Sequence, residues 1–285
     1  MRHAGVRWSA LVLATLAGLA LAAPWLAPVP PQAMDSMHIH SAAGEAASMA
    51  LADGTVVNLR FWMGTDGFGR DIFSRVLYGA RVSLLVGLAC SLVSIGLGAV
   101  LGMLAGYFRL ADRILMRVMD GLMAIPAILL AITLVASLGS KLWVVVLAIA
   151  LPEIPRMTRL VRSLVLSLRE EPFVEAARAL ATPTAVILWR HILPNSLAPL
   201  IVQGTFVAAA AILTESALSF LGLGLPPEIP TWGNIMAEGR VSFTQYPGNV
   251  LFPALLLVPT VLAINLLGDG LRDVFDPKFS RGARA

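Results

Sequence analysis

Long apolar segments dominate this chain and determine the solvent in which it can fold. Hydrophobic residues make up 58% of its 285 residues and charged residues only 13%, against about 25% charged in ordinary soluble domains. The apolar residues form continuous runs, and a helix satisfies its own backbone polar groups inside a bilayer. The composition therefore predicts an all-α integral membrane protein and excludes an ordinary soluble domain.

Six segments meet or approach the length of about 20 apolar residues that a spanning helix needs. They lie near 8–28, 82–107, 117–138, 142–161, 195–215 and 250–268. The first could be a cleaved signal peptide, since Ala20-Leu21-Ala22 offers a cleavage pattern. Its apolar run continues to Trp25 and Leu26, which favours an uncleaved anchor.

The distribution of basic residues predicts the orientation, because Lys and Arg favour the cytoplasmic side. With both termini inside, 15 of the 21 Lys and Arg residues lie inside and six lie outside. We therefore expect an N-in, C-in topology with residues 175–194 in the cytoplasm. Because the basic residues lie beside apolar segments and form no aromatic-interleaved patch, we expect no nucleic-acid partner.

Two long stretches outside the apolar segments are expected on the opposite, extracytoplasmic side. Residues 29–81 begin with prolines and end in a glycine-rich run, which is typical of a turn-rich surface loop. Residues 216–249 contain too many Gly and Pro to span and are expected to cap the bundle. His38 and His40 have no cysteine or third histidine nearby, so we expect no metal site.

Four residues within the apolar segments are candidates for a pathway or gate. Gly98 and Gly102 belong to a small-residue repeat that lets another helix approach closely, either as a seam that slides during gating or as static packing. Glu153 and Glu215 are charges in apolar surroundings, where such residues are costly and often functional. One sequence does not decide which helix faces they occupy.

The polar stretch between the fourth and fifth apolar segments carries two helix-start signals. Glu171-Pro172 and Thr182-Pro183 both place Pro at a first helical position, where it is tolerated, and Thr182 would be an N-cap. The signals predict a first helix through Glu175, a break at 181–182 and a second short helix over about 183–191. The two helices would form a protruding elbow.

The second helix of this elbow is unusually apolar for a cytoplasmic loop. It contains Val186, Ile187, Leu188 and Trp189. Because these side chains would be costly to expose to water, we expect them to enter a groove on another protein. The sequence contains no phosphate-binding G-x-x-x-x-G-K-[ST] loop, so we do not expect this chain to hydrolyse ATP itself.

The same stretch resembles the E-A-A…G…I-x-L-P cytoplasmic loop of membrane subunits of ATP-binding-cassette (ABC) importers. The matching residues are Glu175, Ala176, Ala177, Ile192, Leu193 and Pro194. Ala181 stands where that family has Gly, which permits a left-handed turn. Either Ala181 adopts that conformation at a cost of about 1 kcal/mol, or Pro183 forces the break.

Further strings resemble the dipeptide, oligopeptide and nickel branch of that family. They are Gly64-Thr65-Asp66, Gly69-Arg70-Asp71, Tyr78-Gly79-Ala80-Arg81, Leu218–Gly224, Trp232-Gly233-Asn234 and Asn265–Asp273. The resemblance covers about residues 61–280. It implies a type I importer fold of six transmembrane helices with a cytoplasmic coupling helix, divided as 1–28 (first helix), 29–81 (extracytoplasmic loop), 82–270 (permease domain) and 271–285 (cytoplasmic tail).

The resemblance also implies a role, partners and a location. The chain would be a permease in the bacterial cytoplasmic membrane, surrounded by lipid and paired with a homologous second permease, two ABC ATPases and an extracytoplasmic binding protein. It would bind no cofactor itself, while ATP and Mg would be used by the ATPases. Glu175 and the elbow would transmit force, and Pro194 would fix the elbow's exit into the fifth span.

Three alternatives remain open from the sequence alone. The substrate could be a dipeptide, an oligopeptide, a nickel chelate or a related small solute. A different class of protein, an ion-coupled secondary transporter acting alone, would use Glu153 or Glu215. A non-transporting scaffold would need another cytoplasmic protein to cover the elbow.

Overall fold

The computed structural model describes residues 2–51 and 54–275, and within them the chain forms a helical bundle with one small β-hairpin. The helices are α1 (Arg2–Leu26), α2 (Ile72–Tyr107), α3 (Arg109–Met123), α4 (Ala127–Leu138), α5 (Leu142–Ala150), α6 (Ile154–Leu168), α7 (Pro172–Ala179), α8 (Thr184–Val186), α9 (Leu193–Phe220), α10 (Trp232–Gly239) and α11 (Gly248–Phe275). The antiparallel strands are β1 (Glu45–Ala50) and β2 (Val56–Phe61). The predicted all-α membrane fold is confirmed, apart from this hairpin.

Four of the six predicted spans are long, uninterrupted apolar helices. These are Gly5–Leu26, Ile72–Tyr107, Thr184–Phe220 and Gly248–Phe275. The predicted third span, 117–138, consists instead of α3 and α4, which meet at an angle of 87° beside Pro126. Counting that bent pair as one span gives five in the part of the chain that the structure describes.

The predicted fourth span, 142–161, is also interrupted. Helix α5 ends at Ala150 and α6 begins at Ile154, with a turn at residues 151–153 that contains Pro152. Proline has no backbone N–H and its ring crowds the preceding turn, so it disfavours a continuous helix here. Each of the two interrupted spans therefore breaks next to a proline.

The longest helices also extend beyond the predicted boundaries. Helix α2 begins at Ile72, where the prediction began at 82, because Asp71 caps it by accepting a hydrogen bond from the Ser74 N–H at 2.8 Å. Helix α11 continues through Phe275, past the predicted start of the tail at 271. The rest of the predicted tail, 276–285, lies outside the described residues.

Helix α2 is the centre of the bundle and packs closely against both α6 and α9. An added Cβ on Gly98 or Gly102 would lie 2.5 Å from Met157 Cβ or Val161 Cβ of α6, so the close approach predicted from the small-residue repeat is present. On its other side, the Ser91 hydroxyl donates to the Gly204 carbonyl of α9 at 2.7 Å. Helices α2 and α6 run parallel, whereas α9 runs antiparallel to them.

Both described ends of the chain lie at one end of the bundle. Val6 of α1 packs against Gly270 of α11, and Gly268 packs against Thr205 in the first half of α9. The elbow residues precede α9 and therefore lie at this same end. This arrangement agrees with the predicted N-in, C-in topology, in which the termini and the elbow share the cytoplasm.

The opposite end of the bundle contains regular secondary structure where the sequence predicted only a turn-rich loop. Strands β1 and β2 pair there as the hairpin, in which Met49 and Phe61 are buried. Helix α10 packs against α2, α9 and α11, with Trp232 fully buried and its indole N–H donating to the Val76 carbonyl at 3.2 Å. The predicted cap over the bundle is thus an integral part of the core.

A glycine pair in α2 tests the importance of the α2–α6 contact. We expect Gly102→Ala to destabilise the protein by about 1–3 kcal/mol, because the new methyl group overlaps Val161 in a packed interface. Gly96→Ala is the matched control, since nothing lies within 4 Å of an added Cβ there. Thermal unfolding of the purified variants in detergent would measure both; equal midpoints would contradict the assigned contact.

Candidate functional site

The first arm of the elbow is α7, whose start was predicted from Glu171-Pro172. Glu171 is its N-cap residue and Pro172 its first helical residue. The helix ends with the Ala181 N–H donating to the Arg178 carbonyl at 2.9 Å and the Thr182 N–H donating to the Ala177 carbonyl at 3.0 Å. This pair of bonds is a Schellman motif, which satisfies carbonyls that the helix end leaves free.

Ala181 occupies the left-handed position that this motif requires, with a φ of 56°. A side chain in that conformation costs roughly 1–2 kcal/mol, because Cβ crowds the following carbonyl. Of the two possibilities left open by the sequence, the structure therefore has Ala181 adopting the left-handed turn. The elbow has the bend that a glycine would give, with a strained residue at its tip.

The second arm begins one residue later than predicted and has no separate end. Pro183 is the residue before the first helical residue, Thr184, so Thr182 is not the N-cap. The helix passes through a π-helical turn at Ile187–Ile192 and continues directly into α9. The predicted helix over about 183–191 is present, but it is not a separate short helix, because α8, the π turn and α9 form one helical segment.

The π turn lies where Pro194 enters the helix. Proline cannot donate to the carbonyl four residues earlier, and its ring clashes with it. A π turn widens the helix by bonding five residues apart, as the Leu193 N–H does to the Leu188 carbonyl. Pro194 thus shapes the junction between the elbow and α9, although the helix does not break there.

Two isoleucines anchor the elbow to the bundle. Ile187 and Ile192 are buried in one cluster with Val161 and Val165 of α6 and Val174 of α7. The expectation that Ile187 would face a partner protein is therefore wrong. Because they are five residues apart, the two isoleucines share a face of a π turn, and a search for ordinary helical periodicity misses their pairing.

Other apolar side chains of the elbow face outward. Leu180 is 81% exposed and Trp189 is 71% exposed, while Phe173 and Val186 are partly exposed. Glu175 and Ala176 lie on the outer side of α7, whereas Ala177 is buried against the bundle. The elbow therefore presents two large apolar side chains and a carboxylate at the inner end of the molecule.

The candidate pathway residues lie apart from the elbow. Glu153 is in the turn between α5 and α6, where Arg156 pairs with it at 3.3 Å, and it lines a small cavity with Ala127 and Thr214. Glu215 is fully buried in α9 and accepts a hydrogen bond from the Ser219 hydroxyl at 2.8 Å. The two carboxylates thus have separate hydrogen-bonding surroundings.

The chain's membership of a family rests on this fold and elbow together with a sequence match. Residues 95–281, more than half of the chain, match the family described as the binding-protein-dependent transport system inner membrane component. The chain belongs to this family. It is a multi-pass permease subunit of an ABC importer in the inner membrane.

Several curated relatives match most of the permease's length. A putative peptide transport system permease of Brucella abortus is 45% identical over 98% of this chain and 89% of its own. A probable peptide ABC transporter permease of Sinorhizobium fredii is 51% identical over 77% and 76% of the two chains. A glutathione transport system permease of Pectobacterium atrosepticum is 47% identical over 76% and 72%.

A solved structure shares the permease's architecture. The membrane chain found in inward-facing crystals of the MetNI methionine ABC transporter aligns with a TM-score of 0.50 at 21% identity. The alignment covers 68% of the permease and 95% of that chain. This likeness confirms the predicted importer transmembrane fold.

The strain at the elbow tip predicts a stabilising substitution. Ala181→Gly should raise the stability of the permease by roughly 1 kcal/mol, because Gly adopts a positive φ without the clash of Cβ. Ala176→Gly, at an exposed position inside helix α7, should lower stability by about 0.5–1 kcal/mol. Thermal unfolding in detergent distinguishes these outcomes, and a loss of stability in Ala181→Gly would show that the tip is not strained.

Proposed function

We propose that this permease forms one transmembrane half of an ATP-driven peptide importer and that its elbow docks on an ABC ATPase. The supporting observation is the exposed pair Leu180 and Trp189, held on an elbow whose inner face is anchored by Ile187 and Ile192. Large exposed apolar side chains on a rigid element are typical of helix-in-groove recognition. Glu175 is also exposed on the first arm of the elbow and adds a negative charge there.

The energy source in this proposal lies in other subunits. The sequence of the permease has no phosphate-binding loop of the G-x-x-x-x-G-K-[ST] type. Two ABC ATPases would bind ATP and Mg and close on each other, displacing the elbow. A homologous second permease would complete the pathway, and a binding protein would deliver substrate at the outer end.

The proposed substrate class follows from the relatives. Their names specify peptide, dipeptide or glutathione transport systems, so we propose a short peptide as cargo. A nickel chelate remains the alternative within the family, because a separate binding protein selects the cargo. Because the chain belongs to an ABC importer family, we no longer consider an ion-coupled transporter or a scaffold as its class.

Changing Trp189 tests the docking surface. We expect Trp189→Glu to abolish copurification of the ATPase with the permease, because it places a charge in an apolar contact. Val241→Glu is the control, since Val241 is 86% exposed but follows α10 at the outer end. If the ATPase is retained by Trp189→Glu, the elbow is not the docking site. Ile187 is unsuitable for this test because its burial would make a charge disrupt the fold.

Changing Glu175 tests transmission separately from docking. Glu175→Arg reverses an exposed charge on α7 without altering the buried face of the elbow. We expect the variant to insert into the membrane normally and to lose uptake of radiolabelled dipeptide. Glu170→Arg, on the neighbouring exposed turn, is the control. Normal uptake by Glu175→Arg would remove Glu175 from the proposed coupling surface.

A further inference from the structure

Four charged side chains form a closed cluster at the outer end of the bundle. Asp66 accepts from Arg70 Nε at 2.7 Å and from an Arg75 terminal nitrogen at 2.6 Å. Glu238 accepts from the same nitrogen of Arg75 at 2.7 Å and from Arg70 at 2.5 Å. We call these four residues the outer clasp. Its two acids and two bases have no net charge.

The clasp is buried, although Arg75 is its only member that belongs to one of the apolar spans. The side chains of Asp66, Arg70 and Arg75 are at most 6% exposed, and that of Glu238 is 20% exposed. Asp66 also accepts from the backbone N–H groups of Phe68 and Arg70. Removing one member of such a cluster leaves an uncompensated buried charge.

The clasp joins two elements that are distant in sequence. Arg75 belongs to the first turn of α2, and Glu238 to the last turn of α10. At the other end of α10, the Trp232 indole N–H donates to the Val76 carbonyl of α2, and Gly233 packs against Ser216 of α9. Helix α10 is therefore held to α2 and α9 at its first residues, and the clasp holds its last turn to α2.

Helix α2 also reaches the elbow. Its 36 residues span roughly 54 Å at 1.5 Å per residue. At its inner end, the Arg178 guanidinium of α7 lies 5.3 Å from the centre of the Tyr107 ring. Gly106 packs against Val165, which belongs to the same buried cluster as Ile187. One continuous helix thus contacts the clasp at one end and the elbow anchor at the other.

Stability alone gives little reason for a buried cluster of this kind. Apolar residues of similar volume often replace buried ion pairs without loss of stability. Its bonds do provide directional contacts that hold α10 in one position relative to α2. These contacts lie at the end of the molecule where a binding protein would deliver substrate.

We propose that the outer clasp is a positioning device that makes the last turn of α10 and the residues directly after it follow the movement of α2, so that this part of the outer face responds to the nucleotide state of the ATPase. This proposal rests on the proposed function, because it requires an ATPase on the elbow. The role of Arg75, Asp66, Arg70 and Glu238 is to transmit movement, and none of them contacts substrate in it. Removing the clasp should uncouple the outer face from ATP while leaving the ATPase bound.

A thiol reporter at the outer face tests the clasp in the assembled importer. Val241→Cys places an exposed thiol directly after α10, and the native Cys90 is buried. With the clasp intact, trapping the complex with ATP and vanadate should change the labelling rate by a membrane-impermeant maleimide at least about fivefold. Adding Glu238→Ala should remove this change without altering basal ATP hydrolysis.

Two further variants separate coupling from simple structural damage. Glu228→Ala removes an exposed carboxylate from the same outer region and should keep the nucleotide response. Glu238→Asp keeps the charge and should restore most of the response. The proposal is overturned if the labelling rate is insensitive to nucleotide with the clasp intact, or if Glu238→Ala keeps the full response.

The same preparation distinguishes this proposal from the proposed function. If no ATPase copurifies with the permease, both proposals fail, because the clasp proposal requires an ATPase on the elbow. In another outcome, the complex hydrolyses ATP and is disrupted by Trp189→Glu, while the labelling rate of the thiol is the same with and without nucleotide. In that case only the clasp proposal fails. Thermal unfolding of Glu238→Ala in the complex shows separately whether the variant is folded.

Discussion

The close contact between α2 and α6 is the constraint on which the rest of the bundle depends. Three glycines at four-residue spacing give α2 a surface without side chains, so that Met157, Val161 and Val165 of α6 pack directly against its backbone. The same α6 residues continue into the cluster that holds Ile187 and Ile192. The elbow is therefore positioned by the seam: a larger residue at Gly102 would move α6 and the elbow together.

The elbow itself combines two irregular backbone features with an ordinary apolar anchor. A left-handed Ala181 reverses the chain between its arms, and a π turn joins the second arm to α9 ahead of Pro194. These features place the buried isoleucines inward, so that Trp189 and Leu180 remain outside. The same local geometry thus separates the residues that hold the elbow from those available to a partner.

The sequence predicted those parts of the fold that depend on local patterns. Apolar length identified the helices, and Glu171-Pro172 identified the start of α7. The hairpin was missed because β1 is rich in Ala and lacks strong alternation, which leaves the alternating residues of β2 without a recognisable partner strand in the sequence. The first turns of α2 were left out of the predicted span, because residues up to 81, including the charged Arg75, were assigned to a surface loop. The partner that allows Arg75 to be buried, Glu238, is remote in sequence. Ile187 and Ile192 were misplaced because a π turn changes which residues share a face.

The unbroken helical path from Thr184 to Phe220 has a mechanical consequence. It is 37 residues long, and the Ser91–Gly204 contact with α2 lies near its middle. If this helix turned as a rigid body about the Gly204 contact, Trp189 at one end would move in the direction opposite to Glu215 and Phe220 at the other. Opening on one side of the membrane and closing on the other would then be a single rotation.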